Sequence, residues 1–206
     1  MKNKFSVILL CMIITTNIIL YFFLPPEVVT KWDFNGNPTS TLTKGTHVTI
    51  AILLSCFIAF LFEGLSQMME NARFFKWIGN AVLLFLFFTD MTLSLLALGY
   101  NLPHEQLILS ATGLLFILIG YFITKVDAKS STMSYQWNSK MLEKKSQKIC
   151  GVSIMLTGLC IGISPFVFPS SLIHYALLGT IIIMTVVVTG STIYLFIKDQ
   201  KQSSSL

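Results

Sequence analysis

The stretch Trp77-Ile78-Gly79-Asn80-Ala81-Val82-Leu83-Leu84-Phe85-Leu86-Phe87-Phe88-Thr89-Asp90-Met91-Thr92-Leu93-Ser94-Leu95-Leu96-Ala97-Leu98 carries a single charge, Asp90. A helix rises about 1.5 Å per residue, so a run of this length covers the ~30 Å hydrocarbon core of a bilayer. Helix is preferred to strand because the run is long and continuously apolar, and in lipid every backbone group must be satisfied within the segment.

Five further apolar runs lie on either side of it, at 5–24, 46–65, 107–124, 149–168 and 174–197. Soluble domains average about 25% charged residues, whereas this chain has 11% charged and 54% apolar residues. So little charge does not clothe a soluble globule of this size. The basic residues then fix the phase of the crossings. Lys2 and Lys4 precede the first run, and Arg73 and Lys76 fall between the second and third. Lys125, Lys129, Lys140, Lys144, Lys145 and Lys148 fall between the fourth and fifth, and Lys198 and Lys201 follow the sixth. All of these are cytoplasmic if the N terminus is inside, which leaves Lys31 and Lys44 outside. The expected fold is all-α: a multi-pass membrane protein with six transmembrane helices in one bundle and both termini cytoplasmic. It forms a single transmembrane domain over 1–206, with an outer loop at 25–45 and a basic cytoplasmic loop at 125–148. A cleaved signal peptide is the rival for the first run, but that run ends Phe22-Phe23-Leu24-Pro25-Pro26 with no small-x-small cleavage site. The run is therefore expected to stay.

Chemistry of the usual enzymatic kind finds no foothold in the sequence. There is no H-E-x-x-H, G-x-S-x-G, P-loop or dinucleotide fingerprint, so the chain is read as not an enzyme and no cofactor is expected. Cys11, Cys56, Cys150 and Cys160 lack C-x-x-C spacing and are read as buried apolar thiols. His47, His104 and His174 fall at the outer ends of runs or in outer loops, but their separation gives no ligand motif, and no metal site is expected. Nucleic acid is not an expected partner, because the basic residues face a membrane.

The outer loop holds more turn chemistry than a connector needs. Pro25-Pro26 stops the first helix and Asn35-Gly36 supplies a tight turn. The alternation over Lys31–Phe34 suits one short extended piece, with Trp32 and Phe34 at headgroup level. Two readings stay open: a capped connector and a binding surface. The same stretch resembles the short N-terminal domain of the SdpI-type bacterial immunity proteins, whose pattern runs approximately L-P-x-E-I-P-x-H-W-x-x-x-G-x-P-D followed by a Lys. Leu24, Pro25, Glu27, Trp32, Gly36, Pro38 and Lys44 match it, while Val29, Lys31 and Thr39 replace its second proline, its histidine and its acidic residue. Gly120–Lys125 is similar to that family's G-N-x-x-P-K helix end, and Lys145–Gly151 to its K-T-H-R-x-x-G helix entry, with Gln147 at the histidine. Of the G-I-R-T-P-W signature between them, Trp137 alone is present.

Asp90 is the costliest residue in the chain. An ionised carboxylate in mid-bilayer costs about 2.5–3.5 kcal/mol on insertion scales, so it is expected to face the bundle interior. Counting along the helices puts Asp90 about 20 Å, and Asn17 and Thr185 about 18 Å, from the inner surface. A polar layer of Asn17, Asp90 and Thr185 is therefore expected, with Thr16 and Thr89 nearby. It serves either as interhelical glue or as a proton or solute path. Gly158-Leu159-Cys160-Ile161-Gly162 offers a small-x-x-x-small face for close helix packing, and Ser164-Pro165 a bend in the fifth span.

In the cytoplasmic loop, Trp137, Lys140, Lys144, Lys145 and Lys148 read as a surface resting on lipid headgroups, or as a docking face for an acidic regulator. The resemblance implies the second, since SdpI-type proteins are thought to hold a repressor at the membrane. It also implies the leading function: a protein of the bacterial cell membrane that gives resistance to, or senses, an extracellular antimicrobial peptide. Glu27, Lys31, Trp32, Asp33, Gly36 and Lys44 are then the expected contact residues of the outer loop. The alternatives are a small transporter or channel using the Asp90 layer, and a membrane scaffold for a partner protein.

Overall fold

The computed structural model describes residues 4–32, 38–68, 72–125 and 139–203, with backbone alone for Trp32, His104, Glu105 and His174 among others. Among the described residues, six helices are each long and apolar enough to cross a membrane. They are α1 (Lys4–Phe23), α2 (Lys44–Met68), α3 (Ala72–Ala97), α4 (His104–Lys125), α5 (Lys140–Val167) and α6 (Ser170–Ser203). Between α1 and α2 stand two strands, β1 (Glu27–Trp32) and β2 (Pro38–Thr43), paired antiparallel.

Of the single extended piece expected over Lys31–Phe34, Lys31 and Trp32 end β1 of this pair, while Asp33 and Phe34 lie outside the described residues. The register of the two strands pairs Glu27 with Thr43, Val28 with Leu42 and Val29 with Thr41, then becomes irregular around Lys31. A lone two-stranded hairpin is marginal in water, and here packing holds it down. Val28 is fully buried in a small core with Leu24 and Val48, against Leu20, Ile52, Ala97 and Leu98. The hairpin closes on the helix that follows it: the Lys44 amide donates to the Pro26 carbonyl at 2.9 Å. The Thr43 hydroxyl accepts from the Thr46 amide at 3.3 Å and so caps α2. Lys44 Nζ lies 4.9 Å from the centre of the Tyr21 ring, a cation–π contact that holds the base of the hairpin to α1.

Helices α1, α2 and α3 pack on one another around Leu9, Ile13 and Leu83. At the end away from the hairpin, Ser6 donates to Asn80, and Lys76 lies 3.8 Å from Glu63. Helix α3 then passes the bundle on to α4, α4 to α5, and α5 to α6. The α4–α5 contact is made by glycines. A Cβ on Gly113 would stand 2.5 Å from the Gly158 carbonyl, and one on Gly120 would stand 2.5 Å from the Gly151 carbonyl. The Gly158–Gly162 face therefore receives α4, with Ser110 donating to the Gly162 carbonyl at 3.3 Å.

The loop expected to run to Lys148 ends sooner. From Lys140 the chain is already helical, so Lys140, Lys144, Lys145 and Lys148 lie exposed on the first turns of α5. Lys, Glu, Met, Leu and Gln are good helix formers, and a helix that leaves lipid has no reason to stop at the interface. The Ser139 amide donates to Asp199 Oδ1 of α6 at 2.9 Å, so a buried carboxylate from the last helix caps the start of α5.

Candidate functional site

Beneath the hairpin, three helices bring polar side chains together in an otherwise apolar bundle. Asn17 comes from α1, His47 from the first turn of α2, and Asp90 and Ser94 from one face of α3, a helical turn apart. Asn17 Nδ2 donates to Asp90 Oδ2 at 2.7 Å and to the Ile13 carbonyl at 3.1 Å. His47 Nε2 lies 3.3 Å from Asp90 Oδ1 and 3.4 Å from Ser94 Oγ. Asn17 and Ser94 are fully buried, and the His47 and Asp90 side chains are only 7% and 11% exposed.

Each oxygen of the carboxylate thus faces a nitrogen on a different helix. With its proton on Nε2, the imidazole donates to Asp90 and leaves Ser94 free to donate elsewhere. This is how a carboxylate is tolerated inside a bundle: the desolvation that would expel it is offset by short, converging donors. At this site two buried side-chain oxygens, Asn17 Oδ1 and Thr89 Oγ1, have no hydrogen-bond partner among the described residues.

Two members of the cluster, His47 and Asp90, line a crevice of about 210 Å³ between α2 and α3. Asp90, Thr89, His47 and Ser55 supply its polar wall, and Thr30 and Leu42 of the hairpin roof it. Ile50 and Leu54 sit at its rim, 49% and 43% exposed, so the crevice communicates with the flank of the bundle.

Thr185 does not join this layer. Its hydroxyl donates to the Ile181 carbonyl of its own helix at 2.8 Å, and it lines a separate crevice of about 300 Å³ with Ser153, Thr157 and Thr189. Among the described residues, α6 packs against α5 and no other element. Equal depth in the bilayer brought Thr185 level with Asp90, but depth carries no information about which helices are neighbours. His47 was not singled out for this cluster on sequence, although a signal for it exists. Helices α2 and α3 run antiparallel, as the Glu63–Lys76 and His47–Asp90 contacts require, and reflecting position 47 through position 70, midway between the end of α2 and the start of α3, lands at 93, between Asp90 and Ser94.

On the hairpin itself, Glu27 Oε2 accepts from the Thr41 hydroxyl at 3.1 Å across the strands, and Lys31 is exposed. The Trp32 backbone pairs with Pro38, while Asp33, Gly36 and Trp137 lie outside the described residues. Among the described residues, no three His, Cys, Asp or Glu side chains stand close enough to hold a metal ion.

A family model described as "Domain of unknown function (DUF1648)" matches residues 7–55, which hold most of α1, both strands and the first half of α2, and with them Asn17 and His47. The immunity protein SdpI of Bacillus subtilis is 27% identical over 121 residues. That match spans 58% of this chain and 58% of the relative, so a large part of each lies outside it. No solved structure matches. The two matches bear out the resemblance read from the outer loop: this six-helix chain is similar to the SdpI-type immunity proteins.

Proposed function

We propose that the chain is a protein of the bacterial cell membrane that confers resistance to, or senses, an extracellular antimicrobial peptide, with the hairpin end facing outward. The observation that carries this reading is the paired strands 27–32 and 38–43, packed over a buried Asn–His–Asp cluster of which Asn17 and His47, like the strands, lie in the stretch matched by the family model. The charge distribution supports the orientation, because it leaves Lys31 and Lys44 as the two basic residues on that side. Glu27, Lys31, Trp32, Asp33, Gly36 and Lys44 form the contact surface, and Asn17 and Asp90 anchor the helices beneath it. A short mixed-charge hairpin has no large field with which to steer a peptide, so recognition rests on shape and aromatic contact. At the other end, Lys140, Lys144, Lys145 and Lys148 rest on anionic headgroups, worth about 1 kcal/mol each.

The test is survival. Sensitive cells with and without the protein are challenged with secreted antimicrobial peptides, starting with any encoded beside it, while membrane levels and solute leakage are followed. Protection that Lys31→Glu or Lys44→Ala removes at unchanged membrane level supports the reading. Solute flux without protection would instead favour a transporter.

A further inference from the structure

We propose that the crevice beneath the hairpin is a slot for a primary ammonium on an apolar stem, the chemistry of a lysine side chain on a membrane-active peptide. The inference rests on the reading of the hairpin end as the peptide-meeting face, and adds to it the chemical class of the group that enters.

The inside of the slot presents acceptors. Asp90 Oδ1 holds a single nitrogen, His47 Nε2, and can accept a second donor. Thr89 Oγ1, buried in the same wall, has no partner among the described residues. An ammonium donates to both and brings the positive charge that a buried carboxylate calls for. A carboxylate or phosphate guest would meet Asp90 with like charge. A quaternary ammonium has no N–H to give, and a guanidinium brings five donors to a wall with too few acceptors. Apart from the hydroxyls of Ser55 and Thr30, the remaining lining is aliphatic, with Ile13, Ile50, Leu54, Leu86 and Leu93 suited to a methylene stem. At about 210 Å³ the slot is smaller than the roughly 300 Å³ where drug-sized pockets begin, so it fits one side chain and not a whole ligand. The half-exposed rim at Ile50 and Leu54 lets such a stem enter from the flank of the bundle.

The experiment uses the purified full-length chain in an uncharged detergent, with a photoreactive diazirine n-alkylamine as probe and its alcohol isostere as control. Cross-linked peptides are mapped by mass spectrometry. The amine is expected to label the α2 and α3 segments holding Leu54 and Leu86 about tenfold more than the alcohol, equivalent to about 1.4 kcal/mol. Asp90→Asn should remove that preference. Thr89→Val, nearly isosteric and not dependent on the ion pair, should reduce it several-fold and keeps the idea testable if the Asp90 variant does not fold. Equal labelling by amine and alcohol, or indifference to both substitutions, would overturn the slot. Displacement of the probe by a short apolar peptide with one lysine, but not by its norleucine counterpart, supports a peptide source. Displacement by phosphatidylethanolamine vesicles and not by the lysine peptide would overturn that source. Because the probe is not a toxin, failed labelling beside intact protection sinks the slot alone. Intact labelling without protection sinks the immunity reading alone.

Discussion

His47 on α2 and Asp90 on α3 face each other at 3.3 Å, with Asn17 of α1 holding the far oxygen of the carboxylate at 2.7 Å. The two contacts tie three helices through one side chain. Removing His47 leaves a buried carboxylate oxygen without its donor, which costs about 1–3 kcal/mol. We predict that His47→Ala and Asp90→Ala are each destabilising but that the double variant loses far less than their sum. Unfolding of the four proteins in detergent gives the coupling, expected to exceed the ~0.6 kcal/mol average for hydrogen bonds in membrane bundles. Additive losses would show that the two residues do not act as a pair.

The glycine contact makes a sharper prediction. At Gly158 a Cβ would lie 2.5 Å from the Gly113 carbonyl, a backbone atom that cannot swing aside. Gly158→Ala should therefore lower stability by about 1–3 kcal/mol through overpacking. Gly179 has nothing within 4 Å of its Cβ position. There alanine should be neutral or stabilising by up to about 1 kcal/mol through helix propensity. Thermal aggregation of the two variants, followed by size-exclusion chromatography, separates these outcomes; equal behaviour would mean that α4 and α5 do not meet through these glycines.

The Asp199–Ser139 contact predicts a local effect. Asp199→Ala removes a carboxylate cap from α5 and should cost about 0.5–2 kcal/mol, concentrated in its first turns. Hydrogen exchange should quicken over 139–146 and stay unchanged around Gly158. Uniform quickening along α5 would argue against a cap.

Orientation is tested with single cysteines in a chain whose four cysteines are replaced by alanine. A membrane-impermeant thiol reagent applied to intact cells should modify Thr39→Cys on the hairpin and spare Lys144→Cys on α5. The reverse pattern would invert the topology.

The six helices were legible because a membrane makes apolar length the governing signal, and runs such as Trp77–Leu98 state it plainly. The meeting of Asn17 with Asp90 was also approachable, since equal depth was enough when the two helices proved adjacent. Thr185 marks where that reasoning stops: it lies at the same level, but on a helix that packs against α5 alone among the described elements. The hairpin was half visible. Lys31–Trp32 has strand alternation, but Pro38–Thr43 is a polar run whose pairing is set by Val28 packing beneath it and not by its own pattern. His47 went unread because a histidine near a helix end is unremarkable until the partner helix is folded back beside it.

Strand β2 ends at Thr43 and helix α2 begins at Lys44 with no linker between them, the junction fixed by the Lys44–Pro26 and Thr46–Thr43 hydrogen bonds. Hairpin and helix therefore turn as one crank, and His47 sits on its short arm, one helical turn past the elbow. The strands cannot be repositioned on the bundle without carrying the imidazole with them, which makes the His47–Asp90 contact a constraint on how the hairpin sits as well as on how α2 and α3 pack.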